Sequence, residues 1–163
     1  MVTDTLTTLA TLVGARLKAN GLKLAAAESC TGGWVAQAVT SIPGSSEWFD
    51  RGFVTYSNDA KREMLGVRAE TLAANGAVSE PTAREMVAGA LDRSGAGVAV
   101  SVTGVAGPTG GSPEKPVGMV CFAWALRGGA VESETRRYEG DREAIRRQSV
   151  IRSLQGLLER VER

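Results

Sequence analysis

The apolar positions of this chain recur with two patterns, one typical of helices and one typical of buried strands. The first helix is predicted by apolar residues at helical spacing ahead of an Asn-Gly stop, namely Leu6, Leu9, Val13 and Leu17. Apolar runs at 22–27 and 98–102 end abruptly in hydroxyl-bearing residues and glycines, which predicts two buried strands. Helices and strands therefore alternate along the chain.

Capping residues and turn clusters predict the remaining elements. Helices are expected over 31–39, 58–65, 69–74, 81–93 and 141–161, with Ser57 and Ser79 at the starts of two of them. The remaining strands are expected over 48–55, 119–126 and 130–138, the last two forming a hairpin.

Helices interleaved with buried strands predict an α/β protein, a three-layer α/β/α sandwich around a mixed, mostly parallel sheet. The hairpin supplies at least one antiparallel strand. No internal repeat or linker interrupts the pattern, so a single domain over 1–163 is expected. Ligands of such sheets bind beyond the carboxyl ends of the strands.

The amino-acid composition limits the kinds of binding partner and the cellular location that are expected. The 19 Lys and Arg residues nearly balance 18 Asp and Glu residues, which argues against nucleic acid and favours a small molecule. No apolar run approaches the roughly 20 residues of a membrane span. The two cysteines lack a CxxC spacing and no signal-like segment begins the chain, so a reducing, cytoplasmic location is expected.

The chain contains no histidine. Catalysis by Ser-His-Asp or Cys-His arrangements is therefore excluded, together with the commonest zinc sites, and no metal or cofactor is expected. Any nucleophile needs another base.

Ser29 lies where a strand gives way to glycines, at a turn with free backbone amides that suit a phosphate or an oxyanion. An alternative is that Ser29 or Thr31 only caps the next helix. Cys30 is the better intrinsic nucleophile, but a side chain next to Ser29 in sequence is expected to point the opposite way, into packing.

Four further positions carry candidate chemistry. Lys61 is the natural base if burial lowers its pKa, and Tyr56 can relay a proton, although a lysine at this position is more often on the surface. The Thr103 hydroxyl and the Gly104 amide end another strand much as Ser29 does, or belong to an ordinary loop. Arg142 can bind a phosphate or carboxylate, or pair with Asp141 or Glu139 at the surface.

Four long segments together resemble the CinA carboxyl-terminal domain family: AAAESCTGG, TYSNDAKREMLGV, SVTGVAGPTGGSPEKPVG and YEGDREAIR. The resemblance covers about residues 6–158 in the same motif order. The characterised enzymes of that family are nicotinamide-nucleotide amidases, so the resemblance implies a three-layer fold and hydrolysis of nicotinamide mononucleotide to nicotinate mononucleotide and ammonia, a pyridine nucleotide salvage reaction. A second reading, a competence- or damage-linked module that holds a nucleotide without turnover, stays open.

Carried over by motif, the resemblance implies a catalytic set. The hypothesis that this set motivates is that Ser29 attacks the carboxamide after deprotonation by Lys61, with Tyr56 assisting. The oxyanion is expected at the Thr103 hydroxyl and at the backbone amides of three residues, Cys30, Thr31 and Gly32.

The substrate phosphate is expected at Arg142 and at the glycine loop, which contains Gly104 and Gly107. Thr109 stands in this loop where the family motif usually has glycine. The resemblance and the long closing helix also favour a homo-oligomer, a dimer before any larger assembly.

Overall fold

A computed structural model describes residues 4–161, so the ends of the domain predicted over 1–163 lie outside the described residues. Within these residues the chain forms five strands and six α-helices. The strands are β1 (Leu24–Glu28), β2 (Phe49–Val54), β3 (Val98–Gly104), β4 (Met119–Leu126) and β5 (Val131–Arg137). The helices are α1 (Thr5–Ala19), α2 (Trp34–Thr40), α3 (Asn58–Leu65), α4 (Ala69–Asn75), α5 (Glu80–Asp92) and α6 (Arg142–Arg160).

The strands form one sheet in the order β2-β1-β3-β4-β5. β1 pairs in parallel with β2 and β3, whereas β4 runs antiparallel to β3 and β5. Four strands therefore point the same way. The predicted mixed, mostly parallel sheet and the predicted hairpin are confirmed.

Side chains that alternate along the strands pack into two separate hydrophobic cores, one on each face of the sheet. Ala26 in β1 and Val100 in β3 join α1, α2 and α6 on one face of the sheet. Ala27 and Ala99 join α3 and α5 on the other face. Because successive strand side chains point to opposite faces, five strands can carry both cores at once. The three-layer α/β/α prediction is confirmed.

The helix predicted over 31–39 begins three residues late, at Trp34. Gly32 and Gly33 have φ of +59° and +104°, in the left-handed region that helices avoid and glycine tolerates. The segment after β1 is therefore a tight turn. β3 extends beyond its predicted end at residue 102, to Gly104.

Two capping predictions are confirmed. The Ser57 hydroxyl accepts from the Ala60 N–H (3.0 Å) at the start of α3, and the Ser79 hydroxyl accepts from the Thr82 N–H (3.3 Å) at the start of α5. None of the helices within residues 4–161 has the length and apolarity that crossing a bilayer requires.

Candidate active site

Ser29 is the first residue after β1, and its N–H donates to the Val102 carbonyl of β3 (3.0 Å). This bond extends the pairing of β1 with β3 by one residue and holds the serine at the carboxyl edge of the sheet. Its side chain is buried and lies against Lys61 of α3. Ser29 therefore stands where parallel sheets bind their ligands.

Lys61 is almost fully buried, with 1% of its surface exposed. Its Nζ lies 3.0 Å from the Ser29 hydroxyl, 2.9 Å from the Thr55 carbonyl oxygen and 3.4 Å from the Tyr56 carbonyl oxygen. No acidic side chain in residues 4–161 forms an ion pair with it. Burial lowers the pKa of the Lys61 amine, because the charged form loses more in hydration than its surroundings return.

The hydrogen-bond partners of Lys61 differ in what they can donate and accept. The two carbonyl oxygens can only accept, so each takes one N–H of the amine. A neutral amine has two N–H groups and one lone pair, and the lone pair is then left facing the Ser29 hydroxyl. A neutral Lys61 amine, unlike the charged ammonium that would donate to Ser29, has the arrangement that general-base catalysis requires.

Glu28, the last residue of β1, was not singled out by the sequence. Its buried carboxylate accepts from the Thr31 hydroxyl (2.6 Å) and from three backbone N–H groups at the start of α2, those of Gly33 (3.2 Å), Val35 (2.8 Å) and Ala36 (3.0 Å). An acidic residue at the end of an apolar strand, shortly before a Gly-Gly pair, was the available signal.

The Glu28 contacts correct two expectations about the turn. Neither Ser29 nor Thr31 caps α2, because Glu28 takes the free amides of that helix. The Gly32 N–H donates to the Ser29 carbonyl oxygen (3.0 Å), so it is not a free donor for an oxyanion. In contrast, the N–H groups of Cys30 and Thr31 donate to no other described residue.

Cys30 points away from Ser29, as the alternation predicted. It packs in the core beneath α2 and α6. Burial raises the pKa of its thiol to about 12, which keeps the sulfur protonated and unreactive at neutral pH.

Tyr56 and Arg142 meet at the mouth of the site. Arg142, at the start of α6, donates from Nη1 to the Gly107 carbonyl (2.7 Å) and from Nη2 to the Tyr56 hydroxyl (3.1 Å). These are its partners in the described part of the chain, in place of the Asp141 and Glu139 carboxylates considered above. The tyrosine side chain is largely exposed and contacts Arg142 and not Ser29.

Thr103 lies at the end of β3, next to Gly104. Its hydroxyl donates to the Ala77 carbonyl (3.0 Å), so its single proton is already engaged. A Cβ on Gly104 would lie 2.8 Å from the Val120 side chain, so β4 leaves room there only for glycine.

A cavity of about 230 Å³ connects these residues. Its walls include seven of the predicted site residues, Ser29, Cys30, Tyr56, Lys61, Thr103, Gly104 and Arg142. Thr31 and Gly32 instead line an adjoining cavity of about 620 Å³, which shares Arg142 with the first. Gly107 reaches the site through its carbonyl bond to Arg142.

Arg146, one helical turn after Arg142, is a second residue that sequence reasoning missed. Its Nε donates to the Cys30 carbonyl (3.1 Å) and its Nη2 to the Thr31 carbonyl (3.0 Å). Its spacing of four residues from Arg142 placed both on one face of the predicted helix.

Comparisons with known proteins match nearly the whole chain. The family model for the CinA C-terminal domain matches residues 6–161. A nicotinamide-nucleotide amidohydrolase PncC of Escherichia coli (strain K12) is 57% identical, covering 96% of this chain and 95% of its own length. One of Pseudomonas putida is 53% identical, covering 96% and 97%. The crystal structure of the competence/damage inducible protein CihA from Agrobacterium tumefaciens superposes with a TM-score of 0.94 at 49% identity, covering 98% of this chain and 97% of that one.

Proposed function

Because this chain belongs to the CinA C-terminal domain family, we propose that it hydrolyses the carboxamide of nicotinamide mononucleotide to nicotinate mononucleotide and ammonia. It is an enzyme of the nicotinamide-nucleotide amidohydrolase class, since relatives that are 53% and 57% identical over 96% of the chain bear that name. The observation that carries the mechanism is the buried Lys61 amine, 3.0 Å from the Ser29 hydroxyl.

The first half of the reaction forms an ester. The Ser29 oxygen bonds to the carboxamide carbon while its proton passes to the Lys61 lone pair. The resulting ammonium then gives a proton to the amide nitrogen, the carbon–nitrogen bond breaks, and ammonia leaves an acyl group on Ser29. Lys61 is neutral again after this step.

The second half repeats the same proton transfers with water. Lys61 takes a proton from a water molecule, the water oxygen bonds to the acyl carbon, and the bond to Ser29 breaks as its oxygen regains a proton. Nicotinate mononucleotide is released. One amide and one water are consumed, and one acid and one ammonia are formed.

The oxyanion that appears in both halves is assigned to the N–H groups of Cys30 and Thr31. Two adjacent amides that donate to no other residue of 4–161, directly after the proposed nucleophile, suit the charge that develops on the carbonyl oxygen. Thr103 is a less suitable donor because its proton is bound to Ala77, so its proposed role is to shape the cavity wall.

Tyr56 supports the site through two groups, its backbone carbonyl and its side-chain hydroxyl. Its carbonyl helps orient the Lys61 amine, and its hydroxyl accepts from Arg142. Two N–H groups of the Arg142 guanidinium bind partners within residues 4–161, which leaves three donors for the substrate phosphate at the junction of the two cavities. The Gly107 loop fixes the arginine through a carbonyl bond.

The test is to incubate the purified protein with nicotinamide mononucleotide, without added metal, and to follow ammonia and nicotinate mononucleotide. The Ser29→Ala variant runs in parallel. Turnover by the wild type and none by the variant is expected. A variant that stays active would move the nucleophile elsewhere.

Acid quenching of the wild type during turnover adds a direct observation. An acylated Ser29 would appear as added mass on the tryptic peptide of residues 24–51, which holds the turn. A folded wild-type protein that binds the nucleotide and releases no ammonia would favour the competence-linked binding module instead.

A further inference from the structure

The residues of the turn after β1 are held by bonds from two opposite directions. Glu28 accepts from the later amides of the turn and of α2. Arg146 donates to two carbonyls of the turn, those of Cys30 and Thr31. The amides left between these two sets of bonds are the N–H groups of Cys30 and Thr31, which donate to no other described residue.

The Cys30 carbonyl and the Thr31 N–H belong to one peptide unit. That unit is planar and trans, so its C=O and N–H point in opposite directions. A bond from the Arg146 Nε to the carbonyl (3.1 Å) therefore fixes the direction of the N–H at the other end of the plane. The second bond, to the Thr31 carbonyl (3.0 Å), fixes the next plane in the same way.

The positive charge of Arg146 also favours oxyanion binding by the Thr31 N–H, as the orientation of the peptide does. A guanidinium at a carbonyl oxygen draws electron density along the peptide unit and makes its N–H a stronger donor, as in other charge-assisted hydrogen bonds. Arg146 itself is held by the Trp34 ring, 5.6 Å from the guanidinium carbon. A Cβ on Gly32 would lie 3.3 Å from its Nη2, so glycine leaves the arginine access to the turn.

From these contacts we propose that Arg146 is a positioning residue of the amidase, which orients and polarises the Cys30–Thr31 peptide so that its N–H binds the oxyanion. This inference rests on the proposed function. Arg146 touches the backbone of the turn and not Ser29 or Lys61, so it acts on the developing negative charge and leaves the proton transfer unchanged.

The test compares Arg146→Met and Arg146→Lys with a matched control, Arg147→Met. Methionine keeps an unbranched side chain without donors, and lysine keeps the charge with a single donor point. Arg147 is the next residue of α6, and it pairs with Asp4 (2.5 Å) and not with the turn.

For nicotinamide mononucleotide, kcat of Arg146→Met is expected to fall by about 10- to 100-fold, with KM within about threefold of the wild-type value. Arg146→Lys should recover part of the loss, and Arg147→Met should stay within about twofold of the wild type. The pH midpoint of kcat/KM should be unchanged in all three, because Lys61 is untouched. A higher KM with unchanged kcat would overturn the proposal and make Arg146 a substrate-binding residue of the adjoining cavity.

A second readout separates this inference from the choice of substrate. A fluorophosphonate probe transfers its phosphonyl group to an activated serine: the Ser29 oxygen bonds to phosphorus, fluoride leaves, and the serine proton passes to Lys61. The phosphoryl oxygen then occupies the oxyanion position, so the labelling rate should fall in Arg146→Met by about the same factor as kcat. Equal labelling rates for folded wild type and Arg146→Met overturn the proposal.

This labelling needs no turnover of the nucleotide. A wild-type protein that is labelled at Ser29 and leaves nicotinamide mononucleotide intact would refute the substrate, while the role of Arg146 is still decided by the labelling rates. If Arg146→Met does not fold, the comparison of Arg146→Lys with the wild type decides in its place.

Discussion

Replacing Lys61 by Met is expected to remove the general base from an otherwise intact site. Methionine is unbranched and flexible, so it can occupy the buried space of the lysine stem. The Ser29 hydroxyl then loses its proton acceptor and attacks only as a weak neutral nucleophile. General-base catalysis supplies about 10²- to 10⁴-fold, so kcat should fall by about 10³-fold, or about 4 kcal/mol of barrier.

The same substitution has a limited cost in stability. The buried Thr55 carbonyl and the Tyr56 carbonyl lose their N–H donors, and an unsatisfied buried acceptor costs about 1–3 kcal/mol. Removal of an amine that is unfavourable to bury offsets part of this loss. The net change lies within the roughly 5–15 kcal/mol that holds a domain folded, and circular dichroism at 25 °C should match the wild type.

The assay is ammonia release at saturating nicotinamide mononucleotide, run on Lys61→Met, Ser29→Ala and the double variant. Because the two side chains act as one unit, the double variant should be no slower than the slower single variant. Lys18→Met is the control, an exposed lysine paired with Glu47 (2.9 Å). A Lys61→Met rate within tenfold of the wild type would refute the lysine as base, and so would losses in the two single variants that multiply in the double variant.

Three further predictions follow from the same contacts. First, kcat/KM should rise with pH as Lys61 loses its proton, with a midpoint below the ordinary lysine pKa of 10.5, and a flat pH–rate profile would contradict a titrating base. Second, Cys30→Ala should keep turnover within about threefold and the wild type should resist thiol alkylation, because the thiol is buried and protonated. Third, Gly156→Ala should lower the free energy of unfolding in urea by about 3 kcal/mol, because its Cβ would overlap the Trp124 ring.

The layered fold could be predicted from periodicity because each core depends on a regular pattern. The alternation of Ala26 and Ala27 between the two cores is the strand period itself, and the stripe on α1 is the helix period. The boundary of α2 could not be placed in the same way. Its start depends on Gly32 and Gly33 adopting positive φ, and composition alone does not show which glycine conformation the surrounding bonds select.

The sequence predicts those members of the candidate site whose residue type and position along the chain indicate a chemical role. Ser29 and Lys61 follow from the absence of histidine and from a turn beside a strand. The burial of Lys61 is a tertiary property, because it depends on contact between α3 and the turn after β1, which are far apart in the sequence. Glu28 and Arg146 were missed because their partners are backbone groups, which carry no signature in the sequence.

The strand period also explains why Glu28 does not form an ion pair with Lys61, although Lys61 contacts Ser29, the next residue along the chain. Glu28 points to the face of α2, where backbone amides surround its carboxylate. Ser29 points to the opposite face, where α3 brings Lys61. An ion pair between Glu28 and Lys61 would hold the lysine in its charged form and remove the lone pair that the serine needs. Because Glu28 and Lys61 lie on opposite faces of the sheet, burial is the dominant influence on the Lys61 pKa. The side chain of Cys30 points to the same face as Glu28, where its thiol is enclosed in the core. In the proposed mechanism, the choice of serine over the adjacent cysteine as nucleophile therefore follows from which face of the sheet holds Lys61.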